Sequence, residues 1–481
     1  MTTKLWSKGY ELDATIEAFE AARNAALDAQ LVRHDLWGSL AHARMLRRIG
    51  VLADDEWGRL DEALRALLAD AEAATLRPST AQEDVHTAIE QALVARVGAS
   101  GKRIHTGRSR NDQVLLDLRL FVKEALAATS LAALDTASTL VALARAHEWT
   151  PMPGYTHMQR AMLSSVGLWA AAYAEALLDD CGQLAAAYAL NDQSPLGSAA
   201  AYGTPLPLDR AYVAQLLGFA HVQHNVLAAA NARGKSEAAV VQALALVMLD
   251  LSKWAQDVLL FTTSEYGFFE VPQELCAGSS IMPQKRNLDA LELVRARAHT
   301  VIALQSQMLA TLAGLPSGYN MDYQETKAPL IEAVRICRES LAVVQLFAVS
   351  ISVREERLRA ACTAELFATD YAYELVTTGV PFRDAYQQVA DNPTAQAPGD
   401  LVARLRARTS EGAPGNLGLD WVAARVDAER AAWQERQQRF TAAIAALTQA
   451  TGENEVCAST GAATAAQPGG FATDGAIAYG I

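Results

Sequence analysis

The chain of 481 residues contains little cysteine and no arrangement of cysteine typical of a metal site. The five cysteines are scattered, and they form neither a CxxC motif nor a Cys/His spacing that would hold zinc. Such a set favours reduced thiols in a cytoplasmic protein. The cysteines are Cys181, Cys276, Cys337, Cys362 and Cys457.

The chain also lacks an excess of positive charge. Its formal net charge of −13 argues against a surface that binds nucleic acid. An anionic small substrate remains compatible with this charge, because a local basic cluster can override the global sign. The Lys and Arg residues of 102–110 and 285–286 are candidates for such a cluster.

Long uncharged apolar runs and a signal sequence are missing as well. Residues 1–6, Met-Thr-Thr-Lys-Leu-Trp, contain no apolar core of a signal peptide. The richest apolar run, 238–251, continues into Lys253 and predicts a buried helix, because no charge-free stretch is long enough to span a bilayer. We therefore expect a cytoplasmic protein without a membrane partner.

Strand patterns are scarce, and helical patterns dominate a sequence rich in Ala and Leu. Residues 1–109 alternate short helical patterns with charged turns, 110–351 contain long helical segments, and 352–450 contain shorter helices broken by prolines. Residues 451–481, rich in Ala, Gly and Thr, predict a flexible tail. The sequence thus predicts an all-α chain. The long segments are 110–147, 162–190, 235–263, 289–313 and 325–349.

The segment 235–263 is apolar on nearly every side. Val240, Leu244, Val247 and Leu251 recur at threes and fours, and further apolar residues extend this surface around the helix. A helix of this kind must be buried on several sides. Five such helices predict a bundle with more neighbours than one subunit supplies, and hence an oligomer with a shared helical core.

Residues 278–287, Gly-Ser-Ser-Ile-Met-Pro-Gln-Lys-Arg-Asn, form a polar loop between two long helical patterns. Gly278 and Pro283 break helical geometry. Two hydroxyls, an ammonium and a carboxamide suit removal of a proton next to a carboxylate. The resulting carbanion needs a base on one side and positive or hydrogen-bonding groups on the other. By composition alone, a solvated surface loop explains the same residues.

Three further runs accompany this loop. They are His-Thr-Gly-Arg-Ser-Arg-Asn-Asp-Gln at 105–113, Pro-Gly-Tyr-Thr-His-Met-Gln-Arg at 153–160, and Ser-Gly-Tyr-Asn-Met-Asp-Tyr-Gln-Glu-Thr-Lys at 317–327. The four segments resemble the signature segments of the fumarase/aspartase superfamily, and 105–113 resembles its argininosuccinate lyase branch in particular. The resemblance extends from about Lys4 to about Thr448.

This resemblance implies an architecture and an activity. It implies three mostly helical domains at 1–109, 110–351 and 352–450, with a twenty-helix core in a homotetramer. Active sites would be built at subunit corners from loops of three different chains. The implied reaction, the last step of arginine biosynthesis, is reversible elimination of argininosuccinate to arginine and fumarate, with no metal or organic cofactor.

Such an elimination needs a base for the proton and a donor for the departing nitrogen. The resemblance implies Ser279 and His157 for these tasks, and we favour Ser279 as the base and His157 as the acid or relay. Which of the two takes the proton is open from the sequence. His157 lies in a predicted loop before a helix, and the resemblance pairs it with Glu292, which would hold the ring's tautomer.

The remaining implied site residues grip the substrate. Lys285 matches a residue that stabilises the carbanion. Gln324 and Lys327 are three apart and are predicted to share one helix face, a spacing that is also routine on solvated helices. His86 matches a further active-site histidine. The implied substrate contacts are Arg110, Asn111, Thr156, Asn287, Tyr319, Gln324, Lys327 and His86.

The chain also departs from the family pattern. Residues 19–24 lack a serine that many members use, Leu288 replaces a proline, and Ala-Arg-Gly-Lys at 232–235 replaces the commoner Asp-Arg-Asp. These departures favour, as an alternative, a related C–N lyase acting on another N-substituted aspartate. A structural relative without activity is a third hypothesis, which the retention of Ser279 and His157 opposes.

Overall fold

The computed structural model describes residues 13–21, 24–76, 78, 82, 84–394 and 397–449. The predicted tail at 451–481 lies outside them. The described residues form seventeen α-helices: α1 Ala14–Ala21, α2 Asn24–Asp28, α3 Val32–Arg48, α4 Asp54–Glu72, α5 Val85–Val97, α6 Arg110–Ala146, α7 Val166–Asn191, α8 Arg210–Leu216, α9 Val226–Asn231, α10 Lys235–Phe261, α11 Asp289–Leu312, α12 Lys327–Ser350, α13 Glu355–Ala361, α14 Ala368–Thr377, α15 Phe382–Ala390, α16 Leu401–Arg406 and α17 Leu419–Thr448.

Strands are short and paired two by two. β1 and β2 form an antiparallel hairpin, β3 and β4 pair in parallel, and β5 and β6 pair antiparallel. Four 3-10 helices complete the described structure, at Gly98–His105, Gln273–Leu275, Met321–Thr326 and Ala364–Phe367. The strands are β1 Pro151–Thr156, β2 Gln159–Ser165, β3 Gln193–Ser194, β4 His221–Val222, β5 Phe269–Glu270 and β6 Ser352–Val353. The mostly helical fold predicted from the sequence is confirmed.

The helices begin where polar side chains satisfy their free backbone amides. At the start of α6, Ser109 Oγ accepts the Asn111 amide at 3.3 Å, and Asp112 returns the bond by accepting the Ser109 amide at 2.8 Å. At the start of α7, Ser165 Oγ accepts the Leu168 amide at 3.1 Å. These caps fix the starts of two helices: α6, which begins within the segment 105–113, and α7, which follows the segment 153–160.

The main apolar core lies among α6, α7, α10, α11 and α12, and α17 adds Val422, Val426 and Trp433 to it. A second core joins α3, α4 and α5 to the first half of α6 and to the last turns of α17. The last long helix therefore packs against both of the regions that precede it.

Two core helices, α6 and α10, are long and apolar enough to cross a bilayer by length and composition, although each contains charged residues. In their most apolar stretches, 56% and 61% of the residues are buried within the protein. Both helices lie in the centre of the bundle, so their apolarity serves helix packing.

The order of packing defines two ends of the bundle. Arg295 of α11 donates to Gln256, near the end of α10, at 2.6 Å, whereas Leu312 closes on Gly234, just before α10. Helices α10 and α11 are therefore antiparallel. We call the end where α10 begins the lower end and the end where it stops at Phe261 the upper end. The 27 residues of α10 separate them by about 40 Å.

Candidate active site

The predicted site residues divide between the two ends of the bundle. The lower end holds six of them, on or beside α5, α6 and α12: His86, Arg110, Asn111, Tyr319, Gln324 and Lys327. The upper end holds the other six, on the β1–β2 hairpin, in the loop before α11 and at the start of α11: Thr156, His157, Ser279, Lys285, Asn287 and Glu292. In a single copy the two groups lie at opposite ends of the bundle.

At the lower end, Lys327 is buried and paired within the chain. Its Nζ donates to Asp28 Oδ1 at 2.7 Å, and Asp28 Oδ2 accepts the backbone amide of Val85 at 3.2 Å. Asp28 thus ties α2, α5 and α12 together. An ammonium has three donors, so a substrate carboxylate that binds Lys327 would share it with Asp28.

Asp28 was missed from the sequence. The only local signal is an acid within the apolar stretch 25–31, Ala-Ala-Leu-Asp-Ala-Gln-Leu, where burial would demand a partner. The partner lies 299 residues away along the chain, and no local pattern connects the two residues.

His86 is buried in a cluster of ionisable groups. Its Nδ1 bonds Asp35 Oδ2 and lies 3.9 Å from Asp117 Oδ2. Burial lowers the pKa of His86, but the Asp35 charge and hydrogen bond raise it by more, and the net direction is upward. Burial, followed by the Asp35 charge, raises the pKa of Asp117 well above its usual value. These shifts favour the protonated forms of His86 and Asp117, whereas the pKa of Asp35 is lowered, chiefly by the charge of His86 acting against burial.

The ligand atoms of Asp35, His86 and Asp117 all lie within 4.8 Å of one another, a spacing that a metal ion could bridge. The ring nitrogen that faces both carboxylates, Nδ1, is already bonded to Asp35. The buried Arg108 adds positive charge close to both acids. Within the described residues, one hydrogen bond and the nearby charges therefore hold the cluster together.

Arg110 opens α6 and faces α5. Its Nη2 donates to Thr87 Oγ1 at 2.7 Å, and its Nε lies 3.4 Å from Asp84 Oδ2. Asp84 in turn caps α5 by accepting the Thr87 amide at 2.8 Å. Asn111 follows Arg110, is half-buried, and is held in place by the α6 cap. The segment 105–113 is therefore fixed by the start of two helices.

Gln324 and Tyr319 form a bonded pair beside Arg233. Gln324 Nε2 donates to Tyr319 Oη at 3.1 Å, and Gln324 Oε1 accepts Arg233 Nη2 at 3.4 Å. Gln324 belongs to the 3-10 turn before α12, while Lys327 opens α12 and is directed to Asp28. Gln324 and Lys327 therefore lie in different helices and bond different partners, whereas the sequence predicted one shared helix face.

At the upper end, His157 occupies a tight turn. The sequence predicted a loop before a helix, but residues 151–165 form a hairpin in which Thr156 pairs with Gln159. The two turn residues, His157 and Met158, have φ of 51° and 63°. Turns of this mirror-image kind normally use Asn or Gly, and side chains such as these cost roughly 1–2 kcal/mol each. Strain of this kind clusters at functional sites.

Aromatic packing anchors the hairpin beneath the exposed His157. The ring of Tyr155 lies 5.6 Å from that of Tyr266 and 6.4 Å from that of Phe261. Thr156, next along the strand, is exposed. The hairpin therefore presents Thr156 and His157 to solvent from a fixed base.

Ser279 lies in a loop that a pair of backbone bonds closes. Ala277 and Asn287 exchange amide–carbonyl hydrogen bonds, both of 2.9 Å. Within the loop, Ser279 Oγ accepts the amides of Met282 at 3.1 Å and Ile281 at 3.4 Å. These two donors are oriented to stabilise negative charge on the oxygen, which a serine base requires.

The other upper-end residues surround the Ser279 loop. Lys285 is exposed, Asn287 is half-buried at the loop's base, and Glu292 is exposed on the first turn of α11. Within a single copy of the described chain, no hydrogen bond or ion pair joins Glu292 to His157. Their pairing stays a prediction.

The sequence and the fold of this chain are both similar to those of known lyases. A family model described as Lyase matches residues 10–303. An argininosuccinate lyase from Sorangium cellulosum is 45% identical, covering 89% of this chain and 99% of that protein. One from Xylella fastidiosa is 42% identical, covering 88% and 96%. A solved EDDS lyase structure in complex with formate has a TM-score of 0.76 and 23% identity, covering 90% of this chain and 94% of that one, which shows the fold. The chain belongs to the argininosuccinate lyase family of the fumarase/aspartase superfamily and is a carbon–nitrogen lyase.

Proposed function

We propose that this enzyme cleaves argininosuccinate reversibly to arginine and fumarate, with Ser279 as the base and His157 as the acid or relay. Ser279 would remove the proton from the carbon next to one carboxylate, and the C–N bond would then break as the nitrogen accepts a proton. The observation that carries the assignment is the Ser279 oxygen, which faces two backbone amides in a loop exposed at the upper end.

The charge that develops on the carboxylate needs fixed donors, since its stabilisation is usually the largest catalytic term. Lys285 and Asn287 lie in the Ser279 loop and its base, and Thr156 precedes His157 on the hairpin. At the lower end, Asn111, Gln324 and Lys327 offer donors for carboxylates, with Tyr319 bonded to Gln324. His86 and Arg110 would hold this lower group in place.

The site is complete only between copies, and a homotetramer would unite the two ends. About 40 Å of helix separates the groups in one chain, as the 27 residues of α10 require. The exposed Met158, Ile281 and Met282 border the upper group, and apolar residues exposed in clusters favour contact with another chain. The outer faces of α11 and α12 expose more of them: Leu293, Ile302, Leu309, Leu346 and Val349.

The proposal is tested by following fumarate absorbance when the purified protein is mixed with argininosuccinate. Turnover at ordinary enzyme rates is the expected result. No turnover by a folded oligomer, together with fumarate release from another N-substituted aspartate, would overturn the substrate assignment and leave the elimination chemistry in place.

A mixing experiment tests the shared site. Ser279→Ala alters the upper end and Gln324→Ala the lower end, and each should be inactive alone. When the two variants are unfolded and refolded together, about a quarter of the sites should combine a normal upper end with a normal lower end. Mixed oligomers without any activity would show that each site belongs to one chain.

A further inference from the structure

Three buried ionisable side chains lie together at the start of α10: Arg119, Arg233 and Glu237. They are 1%, 2% and 2% exposed, so a single chain encloses them. Burial raises the pKa of Glu237, while the amides of Glu237 and Gly234 and the charges of Arg119 and Arg233 lower it. Burial lowers the pKa of Arg119 to about 10, and the Glu237 charge opposes this shift. Both guanidinium groups are therefore close enough to Glu237 to act on its carboxylate.

Each of these side chains has polar atoms without another partner. Within the described residues, Arg119 Nε, Arg233 Nε and Nη1, and both carboxylate oxygens of Glu237 have no hydrogen-bond partner. Buried polar atoms are costly when nothing compensates them. The two cations carry only donors and the anion carries only acceptors. The three side chains therefore act as counter-charges for one another in a region that solvent does not reach.

Arg233 connects this group to the predicted substrate contacts. Its Nη2 donates to the Tyr323 carbonyl and to Gln324 Oε1, both at 3.4 Å. Its guanidinium carbon also lies 5.4 Å from the centre of the Tyr319 ring. Arg233 thus contacts both members of the bonded pair Gln324 and Tyr319. Arg119, on the other side, donates to the Gln193 carbonyl and, at 2.6 Å, to Gln223 Oε1.

The source of the acid is a feature of this chain. Arg233 is flanked by Ala232 and Gly234, where the commoner family pattern has aspartates. Gly234 has φ of +79°, a conformation that favours glycine, and a Cβ there would lie 2.3 Å from Leu312 Cδ2. An acid at 234 is therefore disfavoured. Glu237, in the first turn of α10, supplies the carboxylate instead.

We infer that Glu237 is a positioning residue, whose carboxylate holds the Arg233 guanidinium so that Arg233 keeps Gln324 and Tyr319 in place for the substrate. The inference rests on the proposed function. Because Glu237 acts through Arg233, it should affect substrate binding more than the chemical step. A carboxylate in the first turn also stabilises the helix itself, and this structural role alone would leave substrate binding unchanged.

The test compares the steady-state kinetics of Glu237→Gln and the wild type with argininosuccinate. Glu237→Gln removes the charge at nearly constant size. Its KM should rise about tenfold or more, the cost of one charge-assisted contact. Its kcat should stay near the wild-type value, because the ground state and the transition state lose the same binding. A folded Glu237→Gln variant with the KM of the wild type would overturn the inference.

Asp192→Asn is the matched control. Asp192 is the acid of another buried pair at the lower end, with Lys123, and has no contact with Arg233. This variant should lose thermal stability and keep its KM. An equal rise of KM in both variants would mean that Glu237 has only a structural role. If the wild type cleaves another N-substituted aspartate and not argininosuccinate, the proposed function fails, and the same comparison with that substrate still tests Glu237.

A double-mutant cycle tests the route of the effect. Tyr319→Phe removes the hydroxyl that Gln324 bonds. If Glu237 acts through this pair, the increases of KM in Glu237→Gln and Tyr319→Phe should not multiply in the double variant. Glu237→Asp withdraws the charge by one methylene, should raise KM about threefold, and decides the question if Glu237→Gln does not fold. Fully multiplied effects, or a wild-type KM in Glu237→Asp, would contradict the inference.

Discussion

The two ends of the bundle hold their candidate residues in opposite ways. At the lower end, His86 and Lys327 are buried and bonded to Asp35 and Asp28. At the upper end, His157, Lys285 and Glu292 are exposed. The candidate residues of the lower end thus also stabilise the fold, whereas those of the upper end lie on exposed segments and have few contacts with the rest of the chain. Changes at the buried ion pairs of the lower end should therefore cost stability, and changes at the exposed candidate residues of the upper end should cost activity with little loss of stability.

The largest expected effect is on turnover at the upper end. Ser279→Ala should lower kcat by about a thousandfold, as expected for loss of a general base, with unchanged thermal stability and assembly. Ser280→Ala, at the exposed neighbouring hydroxyl, is the matched control and should retain near-normal kcat. Fumarate release and a thermal melt measure both. Equal losses in the two variants would remove Ser279 from the mechanism.

Next in size is a loss of stability at the lower end. Lys327→Met leaves the Asp28 carboxylate buried without its partner, which costs about 3–5 kcal/mol. Lys285→Met, at an exposed lysine of the upper end, should leave the free energy of unfolding nearly unchanged and lower kcat. Denaturant unfolding of both variants compares the two ends directly. Similar losses of stability in the two lysine variants would contradict the difference between the ends.

A pH dependence of stability should also belong to the lower end. His42 is buried and donates to the Thr106 carbonyl at 2.8 Å, and burial, followed by the Arg108 charge, lowers its pKa to about 3. Above pH 6.5 this histidine is neutral in both the folded and the unfolded chain, so its titration does not lower the free energy of unfolding. As pH falls below 6.5 only the unfolded chain gains the proton, so stability falls by about 1.4 kcal/mol per unit.

His42→Gln can keep the bond to Thr106 and removes the titrating ring. Stability measured between pH 6.5 and 4 should fall less steeply in this variant than in the wild type. His157→Gln, at the exposed upper-end histidine, is the control and should leave the slope unchanged. A wild-type slope in His42→Gln would assign the acid sensitivity to other buried groups.

The smallest expected effect concerns strain at the upper end. Met158→Gly places glycine at φ of 63° and should stabilise the fold by about 1 kcal/mol. Met162→Gly, the same change in the strand β2, should destabilise it, since glycine weakens strands. The free energy of unfolding of each variant shows whether it is stabilised or destabilised. Destabilisation in both variants would mean that the turn carries no strain.

Much of the bundle could be predicted from the sequence, because helical periodicity is local. Four of the five long helices begin within two residues of their predicted starts, as α6 does at Arg110. The fifth, α7, begins at Val166 because residues 159–165 pair with β1. That hairpin was missed because its first strand contains Pro151 and Pro153, which weaken any strand pattern.

The site could be predicted less completely, because its contacts are not local. The motifs indicated Lys327 and His86, but their partners Asp28 and Asp35 come from distant segments. Gly234, beside Arg233, packs against Leu312 of another helix. Which residues carry catalysis stays a prediction until the variants are measured.

The continuous length of α10 has a consequence for how this protein can change. Each residue in a helix adds 1.5 Å of rise and about 100° of rotation. Deleting a single residue within α10 would therefore turn the residues on either side of the gap out of register with every neighbour in the bundle. Insertions and deletions in related chains should fall in the connections and termini, and designs that alter chain length should be confined to those places.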